Sequence, residues 1–151
     1  MNKLDELKRS DLSGWNLSIR TALLPKDTNY HGTIFGGVIL SHIDLAGAIE
    51  ARRYCSQRVV TISMNEVVFK EPVLLGDLVS FYTRITRIGK TSIRIQVLVV
   101  ATRENSKERI IVTEATVTYV AIDDARQPTP IEACENRDDP PALYLEQNST
   151  K

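Results

Sequence analysis

The sequence predicts an α+β domain in which one antiparallel sheet wraps a single long helix. Three observations predict it. Residues 37–55 form one helical stretch in which Val38, Ile39, Leu40, Ile43, Leu45, Ala46, Ala48, Ile49 and Ala51 occupy nearly every direction around the axis, so the helix is expected to be buried on most sides. Four segments follow it in a row, at 59–70, 78–88, 91–102 and 109–122, each rich in Val, Ile, Thr and aromatic residues. Their period-two stretches, such as Ile93, Ile95, Val97 and Val99 against Ser92, Arg94 and Gln96, fit strands. The links between them carry turn chemistry, namely Pro72 through Gly76-Asp77, then Gly89-Lys90, then Glu104-Asn105-Ser106-Lys107, so consecutive strands are expected to pair antiparallel.

The elements can be justified in order. A polar segment covers 1–14. A first strand is expected over 15–24, Trp-Asn-Leu-Ser-Ile-Arg-Thr-Ala-Leu-Leu, because β-branched residues alternate there and Pro25 stops it. Residues 25–37 combine Pro, Asp, Asn and Gly, the vocabulary of a shaped loop. The helix and four strands complete a domain spanning 15–122, and no internal repeat interrupts it. One sheet around one helix leaves an exposed face and two edges, so the domain is expected to dimerise or assemble further. Residues 123–151, with Pro128, Pro130, Pro140 and Pro141, read as an extended or disordered acidic tail outside the domain.

Composition narrows the function classes. The 151 residues fit one domain, and 19 basic residues balance 19 acidic ones. From Asp123 onward there are seven acids and three bases, which leaves the tail at −4 and the body at +4. No bulk basic excess argues for nucleic acid or a membrane surface as partner. No window approaches the ~20 apolar residues that span a bilayer, and the first residues alternate in charge rather than resembling a signal, so a cytoplasmic protein is expected. Cys55 and Cys134 lie far apart with no second cysteine or histidine at ligand spacing, which argues against a disulfide framework and leaves no metal site to expect.

One residue breaks the apolar character of the helix. Asp44 stands at its middle between Ile43 and Leu45, where propensity disfavours it and burial without a partner costs several kcal/mol. Gly37, Leu40, Ser41, Gly47 and Ala48 lie on or near the same face by helical spacing, so the acid looks along a surface of mostly small side chains that leaves room for a ligand. A plain bond from Asp44 to a hydroxyl or backbone donor at a dimer interface is the other reading. Gly36 and Gly37 open the helix, where free N–H groups can stabilise negative charge, although a close-packed junction also calls for glycine. Asn29 in the preceding loop can orient water or donate to a carbonyl, or can serve only as a turn residue.

Asp27-Thr28-Asn29, then Gly32-Thr33-Ile34-Phe35-Gly36-Gly37, then Ile43-Asp44-Leu45-Ala46-Gly47-Ala48 together resemble the hotdog-fold acyl-CoA thioesterases, and most closely the bacterial YciA-like acyl-CoA hydrolases. Arg58-Val59-Val60-Thr61, the stretch 69–77, Gly89-Lys90-Thr91-Ser92-Ile93 and the run from Thr113 to Ala121 extend the resemblance in register over about 17–122. It implies a hotdog fold, a homodimer as the minimal active unit with hexamers common, and hydrolysis of acyl-CoA to free acid and CoA. No cofactor is implied beyond the CoA that belongs to substrate and product. The family's catalytic acid maps onto Asp44, its helix N-terminal donor onto Gly37 beside Gly36, and its loop asparagine onto Asn29, acting across the dimer interface. Gly89, Lys90, Thr91 and Ser92 match the region placed around pantetheine and phosphates, and Thr61 falls on the strand that faces the thioester. His31 inherits no role.

A thiolate with a pKa near ~8.5 leaves readily, so one ionised carboxylate can suffice. Asp44 is expected to act as general base on water, with the Gly37 amide holding the oxyanion; direct attack through an anhydride is the alternative. Lys90 would meet a CoA phosphate as a point charge, or belong to an ordinary polar turn. Arg52, Arg53 and Arg58 are expected to cap the helix C-terminus and stay solvated, with contact to an adenine nucleotide as the alternative. A dehydratase is disfavoured because His31 lacks the His-Phe-Pro pattern and His42 lies roughly opposite Asp44. A non-catalytic acyl-CoA sensor is the rival of a different class.

Overall fold

The computed structural model describes residues 9–134 and 137–147, so residues 1–8, 135, 136 and 148–151, the outer parts of the polar start and of the acidic tail, lie outside the described residues. Helix α1 (Gly36–Tyr54) follows strand β1 (Asn16–Ala22), and β2 (Arg58–Phe69), β3 (Leu78–Ile88), β4 (Ser92–Thr102) and β5 (Arg109–Ile122) come after it. Element types agree with the sequence, and ends move by one or two residues. The helix begins one residue early because Phe35 is extended and its carbonyl already accepts from Val38 and Ile39.

The five strands form one antiparallel sheet in the order β1-β3-β4-β5-β2. Central strands β3, β4 and β5 bury most of their inward residues, including Phe81, Ile85, Ile95, Val97, Val99, Val117 and Tyr119, against Ile39, Ile43, Ala46 and Ala51 of the helix. Edge strand β2 is mostly exposed and its pairing with β5 is interrupted twice, between Thr61 and Ser63 and between Asn65 and Val68. Such bulges bend a strand and raise its twist, which curls the sheet around the helix.

One expectation holds with an exception and one needs correction. The helix is covered on most sides but open along one stripe: Leu45 is 56% exposed, and Ser41 and Arg52 are also exposed. The acidic tail is extended, but it is bound to the domain as a belt. Ile131 N–H donates to the Lys90 carbonyl, Cys134 N–H to that of Tyr54, and Tyr144 and Glu146 N–H to those of Ile85 and Thr86. The last two cover the part of β3 that the shorter β1 leaves unpaired, so an open edge finds its partners in the tail.

Beneath the belt lies a charged centre that the sequence reading missed. Glu50 is fully buried, and its carboxylate accepts from Asn16 Nδ2 (3.1 Å), Thr83 Oγ1 (2.7 Å), Arg53 Nη1 (2.7 Å) and the Ala142 N–H (2.6 Å). Arg53 is consequently buried rather than solvated, and its Nε reaches Asp139 of the belt at 2.8 Å. A buried carboxylate persists only when its lone pairs are occupied, and here one helix residue, two strands and the belt combine to do so.

Candidate active site

Asp44 faces the other side of the helix, toward β2. It is half-buried in the single chain, not enclosed as expected, because only β2 flanks that stripe. Thr61 Oγ1 donates to Asp44 Oδ1 at 2.6 Å, and the described residues place no hydrogen-bond donor on Oδ2. One oxygen thus fixes the carboxylate while the other is open, which suits a group that must accept a proton.

Tyr119 and Gly47 hold this part of the helix in place. Tyr119 stands opposite Thr61 in the sheet register, is 1% exposed, and donates from its hydroxyl to the Asp44 backbone carbonyl at 2.7 Å. Burial foremost, and the Asp44 charge second, push the Tyr119 hydroxyl above the ordinary tyrosine range, so it remains a donor. The ring fits because residue 47 lacks a side chain: a Cβ there would lie 2.2 Å from the hydroxyl oxygen and 3.0 Å from two ring carbons. Gly47→Ala is therefore expected to destabilise by about 1–3 kcal/mol, because the enclosed ring must shift. Urea denaturation checks this, and an unchanged midpoint would show that the site relaxes freely. An aromatic strand residue facing a mid-helix glycine was the available signal for this pair.

Gly36 and Gly37 supply the helix start. No side chain caps it, and Val38 and Ile39 N–H already use the Phe35 carbonyl, which leaves the Gly36 and Gly37 N–H groups without intrahelical acceptors. The Phe35 ring folds over Gly37, where a Cβ would meet it at 2.5 Å, so a side chain there would displace the ring that walls the amide. Beside Gly36 a cleft of about 290 Å³ is lined by the apolar Ile34, Ile39, Phe69 and Val73 and also by Lys70, Glu71 and Thr113.

Asn29 makes its hydrogen bonds within its own loop. Its Oδ1 accepts from the His31 and Thr33 N–H groups at 2.9 and 3.2 Å, and its Nδ2 donates to Thr33 Oγ1 at 2.9 Å. This is the Asx-type turn foreseen as one reading, and one amide hydrogen is left over. The hairpin Gly89-Lys90-Thr91-Ser92 is closed by Gly89 N–H to the Ser92 carbonyl, and Lys90 is exposed. Thr61, Tyr119 and Ile93 form one row across β2, β5 and β4, so Ser92 and the hairpin lie at the same end of the sheet as Val59 and Val60. His42 stacks on Phe81 and bonds the Val38 carbonyl through Nδ1 at 2.8 Å, away from Asp44. Of the sequence candidates, then, Asp44 and Thr61 bond each other through their side chains and Gly89 and Ser92 close their own turn; Asn29, the glycine pair and the hairpin occupy separate places in one chain.

Comparison with known proteins fits this architecture. The thioesterase superfamily profile matches residues 31–108. An uncharacterised acyl-CoA thioester hydrolase of Haemophilus influenzae is 38% identical over 85% of this chain and 86% of its own length. The acyl-CoA thioester hydrolase YciA of Salmonella typhimurium is 40% identical over 76% of this chain and 89% of its own. Among solved structures, a hexameric hotdog-fold thioesterase of Campylobacter jejuni superimposes with a TM-score of 0.72 at 49% identity, covering 77% of this chain and 90% of that one. A helix lying in one curled five-stranded sheet, joined to these identities over most of both chains, makes this protein a member of the thioesterase superfamily, among the acyl-CoA thioester hydrolases of hotdog fold.

Proposed function

We propose that the protein hydrolyses acyl-CoA thioesters, with Asp44 as general base on the attacking water and the Gly37 N–H as oxyanion donor. The observation that carries this reading is the Asp44 carboxylate, oriented by Thr61 through one oxygen and open at the other. Water held on Oδ2 would lose its proton to Asp44 as it adds to the carbonyl carbon, and collapse of the tetrahedral intermediate would release CoA thiolate. The good leaving group removes the need for a separate strong acid.

The geometry favours a site shared between two copies. Helix N–H groups point along the axis toward the N-terminus, so those of Gly36 and Gly37 point away from Asp44, which lies seven residues or about 10 Å further along. One carbonyl cannot meet both within a chain. A second copy supplying its own Asp44 to the first copy's helix start resolves this, and the open stripe around Leu45 together with the free edge of β2 offers apolar surface for such pairing. The hexameric relative supports a homo-oligomer, and the shared site calls for a pair of copies within it. Asn29, whose loop bonds fix its amide and leave one N–H, would orient water or the thioester across that interface. The acyl chain would enter the cleft beside Gly36 along its apolar wall of Ile34, Ile39, Phe69 and Val73.

Lys90, with Thr91 and Ser92, would contact a CoA phosphate. Lys90→Gln is expected to raise KM for acyl-CoA about two- to fivefold with kcat unchanged, in line with one exposed charge contact. A KM equal to wild type at low salt would remove Lys90 from the site. The reading as a whole is tested by thiol release across acetyl- to palmitoyl-CoA: turnover of at least one chain length is expected. Thermal stabilisation by acyl-CoA without any thiol release would instead mark a binding protein.

A further inference from the structure

One buried titratable group beside Asp44 has no part in the mechanism above. Tyr119 is enclosed by the fold, so its hydroxyl must find partners inside, and it finds them on the helix backbone. It donates to the Asp44 carbonyl at 2.7 Å, and the Ala48 N–H, one turn further on, bonds the same hydroxyl. That carbonyl and that N–H are the pair that bond each other in an ordinary helix, so the hydroxyl enters the helical ladder at the residue that carries the carboxylate. Resting on the general-base reading, we propose that Tyr119 is a positioning residue for the reaction: together with Thr61 it clamps residue 44 at both ends, the main chain through the tyrosine hydroxyl and the carboxylate through the threonine hydroxyl.

Three features argue for it. Thr61 and Tyr119 are register partners on β2 and β5, so their side chains leave the same face of the sheet as neighbours and reach the helix at one residue. Their anchors differ in firmness. Thr61 is exposed on an edge strand whose pairing shifts immediately after it, whereas β5 is held by β2 on one side and β4 on the other and buries Val117, Tyr119 and Ala121. The bond from Thr61 alone would tie the carboxylate to the more yielding strand. The bond from Tyr119 ties the same residue to the interior of the sheet, where the backbone has least freedom. The approach is also built into the helix: Gly47 is buried at a position where helix propensity disfavours glycine, and a side chain there would collide with the tyrosine hydroxyl. Burial keeps that hydroxyl protonated well beyond the usual tyrosine range, so the clamp remains a donor as the pH rises. Such precision matters to a base, because a displacement of about 1 Å can cost on the order of 10²-fold in rate.

The test uses Tyr119→Phe in the full chain, which keeps the ring in the gap over Gly47 and removes only the hydroxyl. It is expected to lower kcat for acyl-CoA about five- to twentyfold with KM within about twofold of wild type. In an Asp44→Asn background the same substitution is expected to change the residual rate by less than about twofold, because the carboxylate it positions is gone, whereas a merely structural role would lower both backgrounds alike. A crystal structure of Tyr119→Phe gives a readout independent of turnover, with the Asp44 carboxylate expected to leave Thr61 or to occupy two rotamers. Wild-type kcat in folded Tyr119→Phe, an equal loss in both backgrounds, or an unmoved bond between Asp44 and Thr61 would each overturn the clamp. Should Tyr119→Phe not fold, Gly47→Ala displaces the hydroxyl from the helix side and is read in the same way. The two readings fail separately: Asp44→Asn with turnover near wild type defeats the general base, and the crystal structure of Tyr119→Phe still decides whether the tyrosine holds the carboxylate in place.

Discussion

Asp44→Asn is expected to reduce kcat for acyl-CoA by about 10²–10⁴-fold, the range typical of losing a positioned general base. The substitution keeps the shape and still offers an oxygen to Thr61 Oγ1, so the 2.6 Å contact and the local helix should survive. KM should change little, because the lost interaction develops with proton transfer and not with binding of the substrate. The melting temperature should move by no more than about 2 °C, since Asp44 is half-buried and bonded to one hydroxyl. Steady-state thiol release and a thermal melt check both halves. Turnover within a factor of a few of wild type would sink the general-base assignment, and Thr61→Val, expected to lower kcat more modestly by freeing the carboxylate, would then have no effect either.

Glu50→Ala should have the opposite signature, with large loss of stability and intact chemistry in whatever remains folded. Removing the carboxylate leaves the Arg53 guanidinium, the Asn16 amide, the Thr83 hydroxyl and the Ala142 N–H without their acceptor in a buried place. Breaking a buried ion pair from one side costs about 3–5 kcal/mol, a large part of the 5–15 kcal/mol that typically holds a domain together. The melting temperature should fall by roughly 10 °C. Glu50→Gln, which keeps one acceptor oxygen but loses the charge, should fall between. Glu50 follows Asp44 by six residues and so faces away from it around the helix, which is why kcat at low temperature should be retained. A urea midpoint for Glu50→Ala equal to wild type would show that the network contributes nothing.

These two acids mark where the sequence was legible and where it was not. The strands of β3, β4 and β5 were readable because their inward residues alternate against a single core, and turn residues separate them. Asp44 stood out because it interrupts an apolar run, and Thr61 was found through the family resemblance alone. Glu50 escaped notice because Glu and Arg three residues apart near a helix end ordinarily form an exposed pair. Its burial depends on Asn16, Thr83 and Ala142, residues distant in sequence, which no local pattern reports. The belt was misjudged for the same reason: proline and charge favour an extended chain, and whether it docks is decided by an unpaired stretch of β3 that only the sheet register reveals.

The belt also bears on the order in which the molecule can be assembled. Its anchors join residues far apart along the chain: Asn16 to Pro140 at a separation of 124, Ala142 to Glu50 at 92, and Arg53 to Asp139 at 86. Contacts of such range are entropically slow to close, and these can close only after the sheet has set the ends of β1 and β3 in register. A chain emerging from the ribosome therefore carries Glu50 without its full set of donors until Ala142 has been added. The helix and sheet must wait, incompletely satisfied, for a segment that contributes no strand of its own to the sheet.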